Sequence, residues 1–222
     1  MLQNGGQGVS LSRSGRAGGV VYEYLPILRH AAQHDVVPAL RERARPHVGD
    51  HRMAGQQRLD NLLVEMGKRG MKAVLYINNS WEWSGGYGMY LEWAGQGKAI
   101  IPSIEGYWPF MQQMAGFATC SEAQELFFNH LRNVVSRVNS ITGKPYSEDS
   151  AIFSWQRGNE PRCFSSAPEV QDAFVQWVSE AASIIKSIDP NHMVSTGSEG
   201  SWGCENDIDL YRRLHSSPDI DY

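Results

Sequence analysis

A carboxylate that hands a proton to a leaving oxygen has to be held at a fixed angle in a partly dry place, and Glu160 is set in a segment that can do this. It lies in Arg157–Gly158–Asn159–Glu160–Pro161–Arg162, just past the apolar run Ala151–Trp155, with Pro161 stiffening the backbone behind it. Breaking a glycosidic bond needs such a proton donor, and a retaining mechanism needs a second carboxylate about 5 Å away. Asn159 is placed to hold a sugar hydroxyl beside the reacting carbon. A lone glutamate after a strand is more often a solvated loop charge, so its neighbours have to decide.

The elements that would position Glu160 alternate. Leu59, Leu62, Leu63 and Met66 recur at helical spacing from about Met53, and Gly70 stops them. Lys72–Ile77 then reads as a strand buried on both faces. A helix over residues 121–141 is expected to begin with Ser121 as its N-cap and to bury Leu126, Phe127, Leu131, Val134, Val135 and Val138. Ala151–Trp155 is a second buried strand, with Trp155 packed in the core. Pro168–Ile188 is a further amphipathic helix, ended by Asp189–Pro190. Met193–Thr196 is a third strand, Asn206–His215 another helix, and Asp219–Tyr222 the start of one more strand. This alternation predicts a parallel sheet covered by helices. No Gly-x-Gly-x-x-Gly turn follows any strand, which favours a (β/α)8 barrel over a nucleotide-binding sheet. Such barrels run to about 250 residues, so the 222-residue chain is expected to be incomplete at its C-terminus.

Composition narrows the partners. A net charge of −4 offers no broad cationic surface for nucleic acid, and no run approaches the ~20 apolar residues of a membrane span. Seven Trp and nine Tyr gather in segments that otherwise read as loops, as a surface stacking on flat, weakly charged ligands would require. Cys120, Cys163 and Cys204 have no metal or redox spacing, so no metal site is expected. A disulfide between Cys163 and Cys204 and buried free thiols are equally open readings. The histidines, His130 and His192 among them, are given no chemistry.

The string Phe153–Cys163 resembles the acid/base motif of glycoside hydrolase family 5, in particular its endo-β-1,4-mannanase branch. Asn78–Gly86 is similar to the loop after that family's third strand, Ser195–Gly200 to the loop after its fifth, and Pro218–Tyr222 to the approach to its sixth. The similarity runs from about Pro38 to the C-terminus. It implies an incomplete TIM barrel over 38–222, with strands three to five and the start of six recognisable, preceded by a poorly ordered or atypical segment, 1–37. Val20–Val37 does not match the family's second-strand arginine.

The resemblance also implies roles. Glu160 is then the general acid/base and Asn159 its supporting neighbour. Arg162, Trp81, Trp83, Asn79, Glu199 and Trp202 are the substrate-binding residues, with Trp81 as an aromatic wall of the cleft. The nucleophile belongs to the seventh strand, so no residue of this chain receives that role, and the 222 residues alone are expected to be inactive. The substrate implied is β-mannan or a related plant polysaccharide, cleaved internally without a cofactor by a secreted monomer, although residues 1–19 show no secretory signal. A β-glucan hydrolase of the same clan and an inactive saccharide-binding fragment are the alternatives.

Overall fold

The computed structural model describes residues 20–23 and 45–222. Residues 1–19 and 24–44, with most of the segment 1–37, lie outside the described residues.

Four parallel strands carry the fold: β1 (Val20–Glu23), β2 (Lys72–Tyr76), β3 (Ile152–Gln156) and β4 (Met193–Ser195). They pair in chain order, β1-β2-β3-β4. A doubly wound sheet reverses direction at a switch point, and these four strands show no reversal. β1 was not anticipated, and its register with β2, Val20 opposite Lys72 through Glu23 opposite Leu75, extends the sheet by one strand.

The connections are helical: α1 (Arg45–Lys68), α2 (Gly86–Trp93), α3 (Pro102–Glu105), α4 (Tyr107–Ala115), α5 (Ser121–Val135), α6 (Pro168–Ile188) and α7 (Ile208–Leu214). Leu59, Leu63 and Met66 are buried as their spacing predicts, and Leu62 is partly buried. α6 matches its expected limits. α1 begins earlier than Met53, and α7 begins after Asp207, whose carboxylate accepts from the Asp209 and Leu210 amides as an N-cap.

Several expectations need correction. Ser121 is the first helical residue of α5 and not its cap; Cys120 holds that place without a side-chain hydrogen bond. α5 also stops at Val135, six residues short of Ile141, because the chain turns back and Asn139 N–H donates to the Lys144 carbonyl at 2.8 Å. Val138 is consequently exposed; within the helix Leu126 is exposed as well, and Phe128 is buried. The expected strand at Asp219–Tyr222 does not form, although Asp221 N–H donates to the Val194 carbonyl at 2.8 Å and its carboxylate accepts from Val194 N–H.

The core lies between the sheet and the helices. Tyr87 of α2 stacks on Phe117 with centroids 4.3 Å apart, and Trp177 of α6 meets Phe117 and Phe127 at 5.1 Å each. Each such side chain contributes about 2–3 kcal/mol by leaving water. At the approach to β3 the buried Asp60 of α1 ties three segments together. Arg137 grips it through two hydrogen bonds, and the Tyr146 and Ser140 hydroxyls donate to it.

Candidate active site

The site begins where β2 and β3 stop being regular. Pairing continues past both strand ends: Ile77 N–H donates to Gln156 O, Asn159 N–H to Asn78 O and Ser80 N–H to Asn159 O, and Asn79 and Asn159 form a parallel bridge. On the other flank Arg157 N–H donates to Ser195 O and Glu160 N–H to Gly197 O at 3.1 Å. The loop that carries Glu160 is therefore bonded on one side to the loop after β2 and on the other to the loop after β4.

Two glycines make this approach feasible. At Gly197 (φ 74) a Cβ would stand 1.8 Å from the Gly158 carbonyl oxygen, and at Gly86 (φ 57) one would stand 2.0 Å from the Trp81 oxygen. Glu160 itself has φ 50, a left-handed conformation uncommon for a glutamate. Strain of this kind persists only where the surroundings dictate it.

Those surroundings aim the carboxylate. Trp81 donates its indole N–H to Glu160 Oε2 at 2.7 Å, and the ring is in turn fixed by its neighbours. Phe110 stacks on it at 5.8 Å, 9° from parallel, and Phe164 meets it edge-on at 5.6 Å. Tyr107 and Trp83 lie at 6.4 and 6.0 Å. Trp81, expected to be an aromatic wall of the cleft, is partly buried among these rings and holds the Glu160 carboxylate. The exposed aromatic surface comes from its neighbours Trp83 and Tyr107 and from Trp202, which lies against Arg162.

Arg162 and Glu199 face each other. Arg162 Nε donates to Glu199 Oε2 at 2.6 Å and Nη2 to Oε1 at 2.7 Å, and both side chains are mostly buried. The paired carboxylate strengthens the hold of Arg162 on its proton. The guanidinium carbon also lies 5.4 Å from the Trp81 ring centroid and 5.9 Å from that of Trp202.

Asn79, expected to touch substrate, is only 1% exposed. Its Oδ1 accepts from Trp81 N–H at 3.2 Å and from Asn159 Nδ2 at 3.5 Å, so it orders the loop beneath the surface. Asn159 is half-buried beside Glu160. Cys163 and Cys204 are free thiols buried next to these loops, as is Cys120 elsewhere; burial pushes Cys163 up to about 12 and Cys204 up to about 11. Among the described residues no group of three or more His, Cys, Asp or Glu is arranged to hold a metal ion.

Sequence reasoning missed Tyr107, Phe110 and Phe164, which shape the pocket around Trp81. The run Tyr107–Trp108–Pro109–Phe110 was the available signal, three aromatic rings in four residues directly after a glycine.

Residues 25–222 match the family model described as GH family 5 beta-mannosidase-like. Among curated relatives, the chain is 36% identical over 145 residues to mannan endo-1,4-beta-mannosidase 1 of Arabidopsis thaliana, covering 65% of this chain and 31% of that protein. It is 35% identical over 155 residues to mannan endo-1,4-beta-mannosidase 4 of Solanum lycopersicum, covering 70% and 35%. The chain thus spans about a third of the length of these relatives. Among solved structures, the glycoside hydrolase family 5 mannosidase from Rhizomucor miehei superposes with a TM-score of 0.63 at 36% identity, over 76% of this chain and 39% of that one. The endo-1,4-beta-D-mannanase from Thermotoga petrophila RKU-1 gives 0.54 at 30%, over 66% and 36%. With the family model matching most of its length, and with the fold and carboxylate loop just described, this chain belongs to the beta-mannosidase-like group of glycoside hydrolase family 5.

Proposed function

We propose that this chain supplies the acid/base side of a retaining glycoside hydrolase that cuts internal β-1,4-mannosidic bonds, on a sheet that closes as a (β/α)8 barrel. The carrying observation is the 2.7 Å hydrogen bond from Trp81 Nε1–H to Glu160 Oε2. It engages one carboxyl oxygen and leaves Oε1 to bring a proton to the departing glycosidic oxygen. In the second half of the reaction the same residue takes a proton from water and so releases the glycosyl-enzyme. The nucleophile is a separate carboxylate. Glu199 is unsuited to that part, because both of its oxygens are held by Arg162. The Arg162–Glu199 pair and the exposed Trp202 beside it form the polar and stacking surface offered to the sugar chain, to which Trp83 and Tyr107, next to Trp81, add exposed rings.

A polymer of this kind cannot enter a cell intact, so the proposed enzyme works outside it, as a monomer with one saccharide chain in its groove. The unit built around Glu160 takes in 38–222, and the family match from residue 25 favours starting it earlier.

The test is hydrolysis by the full gene product. Glu160→Gln should lower turnover of β-mannan by roughly 10²- to 10⁴-fold while calorimetric binding of mannohexaose stays within a few-fold. An unaltered turnover would contradict the assignment. Product analysis on β-mannan beside β-1,4-glucan separates the mannan reading from the glucan one, since the acid/base group serves both.

A further inference from the structure

Arg157, three residues before Glu160, is 1% exposed between the sheet and the helices. Its guanidinium carbon lies 4.3 Å from the Trp177 ring centroid and 5.7 Å from that of Phe174. Nη2 reaches the Thr196 carbonyl at 3.5 Å, the outer limit of a hydrogen bond, while Nε and Nη1 are buried without a partner. Arg137 and Arg162 are different, since each grips a carboxylate. No described carboxylate forms an ion pair with Arg157.

Two ionisable groups face it, Tyr87 and Cys204. Burial raises the Tyr87 phenol above its ordinary value and pushes the Cys204 thiol up to about 11. Both are neutral near pH 7, so neither balances the charge. Leaving a buried cation uncompensated costs several kcal/mol, and an aromatic face returns about 2 kcal/mol of that.

The other unmet polar atoms nearby are largely donors. Asn78 Nδ2 and Trp177 Nε1 are buried and unpaired, and the Tyr87 hydroxyl, which faces Arg157 and Ser80, closes no hydrogen bond of good geometry with either. They gather around the same backbone: the Tyr87 hydroxyl is 3.5 Å and the Asn78 carbonyl 3.7 Å from where a Cβ on Gly158 would stand, and the Tyr87 and Trp177 rings are 5.5 Å apart. A water molecule would meet a donor's hydrogen-bonding need but not the charge.

We propose that Arg157 and Tyr87 bind a small monovalent anion of the halide class, with Arg157 Nε and Nη1 and the Tyr87 hydroxyl as donors. Both residues and Trp177 are at most 1% exposed, so the ion has to shed its water and fit among packed rings. That favours chloride or bromide over sulfate or phosphate. The inference rests on packing and charge alone and stands apart from the glycosidase reading.

The experiment is thermal unfolding of the full chain at constant pH and ionic strength, with gluconate replaced stepwise by chloride. The midpoint should rise by several degrees and saturate, bromide should act as chloride does, and sulfate should not. Arg157→Leu should abolish the dependence, and Tyr87→Phe, which keeps the stacked ring, should weaken the apparent affinity several-fold. Broadening of the chloride-35 NMR line by the folded parent protein, relieved in Tyr87→Phe, gives the same answer should Arg157→Leu not fold. A midpoint indifferent to the halide, a non-saturating shift shared with sulfate, or a chloride response undiminished in both variants would overturn the proposal.

Discussion

At the scale of single residues, the account turns on how a glutamate is aimed. In the proposed reaction Trp81 acts through Glu160, to which it donates its N–H. A hydrogen bond to a charged group contributes about 1.5–3 kcal/mol, so Trp81→Phe, which keeps the ring and loses the N–H, should reduce kcat/KM by roughly 10- to 100-fold. The loss should fall on kcat more than on KM, while the unfolding midpoint changes little; a loss of stability with kcat unmoved would assign Trp81 to packing only. Arg162 and Glu199 should behave as one unit. Truncating both should weaken mannohexaose binding little more than truncating either, a non-additivity that a double-mutant cycle measures directly. Glu160, Asn159, Arg162 and Glu199 could be read from the sequence because a strand-end motif fixes their order. The packing of Trp81 could not, since it depends on Phe110 and Phe164, contributed by segments far from the loop after β2, nor could the burial of Asn79, which comes with its bridge to Asn159.

At the scale of elements, close approach of loops holds the site in place, and one buried carboxylate ties α1 to the approach to β3. Gly197→Ala would set a methyl group 1.8 Å from the Gly158 oxygen at a positive φ. It should destabilise by well over the ~1 kcal/mol typical of point substitutions, whereas Gly158→Ala, whose added carbon meets nothing nearer than 3.5 Å, should be much milder in urea unfolding. Asp60 joins α1 to the approach to β3. Burial alone would raise its pKa, but hydrogen bonds from Arg137, Ser140 and Tyr146 overcome this and hold it at about 2, below its ordinary 3.8. A depressed carboxylate stabilises the fold at pH values above its unfolded pKa, and that stability drains away as pH falls through the folded value. A shift of this size corresponds to roughly 2 kcal/mol, fully present above about pH 5 and lost progressively from about pH 4 to 2. Asp60→Asn should remove that acid-dependent part and, by leaving Arg137 uncompensated, destabilise at neutral pH by about 3–5 kcal/mol. Helical spacing disclosed α1, α5 and α6, yet α5 ends early because of a turn at Asn139–Lys144 that no apolar pattern encodes. β1 escaped notice for a related reason: four residues are too few to display a period.

At the scale of the molecule, the alternation of helix and buried strand predicted a parallel sheet, and the sheet is parallel with its strands in chain order. Strand order is a property of pairing that alternation alone leaves open. One consequence of this order is that the loops after β2, β3 and β4 open on the same rim, so Trp81, Glu160 and Glu199 converge although 118 positions separate the first from the last. The proposed role of Glu160 as the acid/base of a two-step glycosyl transfer can be checked by azide rescue. In the full gene product, Glu160→Ala acting on an aryl β-mannoside with a good leaving group should accumulate a glycosyl-enzyme that water discharges slowly. Added azide, which needs no general base, should restore turnover and yield β-mannosyl azide. A Glu160→Ala protein that keeps its parent's activity, or one that azide neither accelerates nor converts to the azide product, would contradict it.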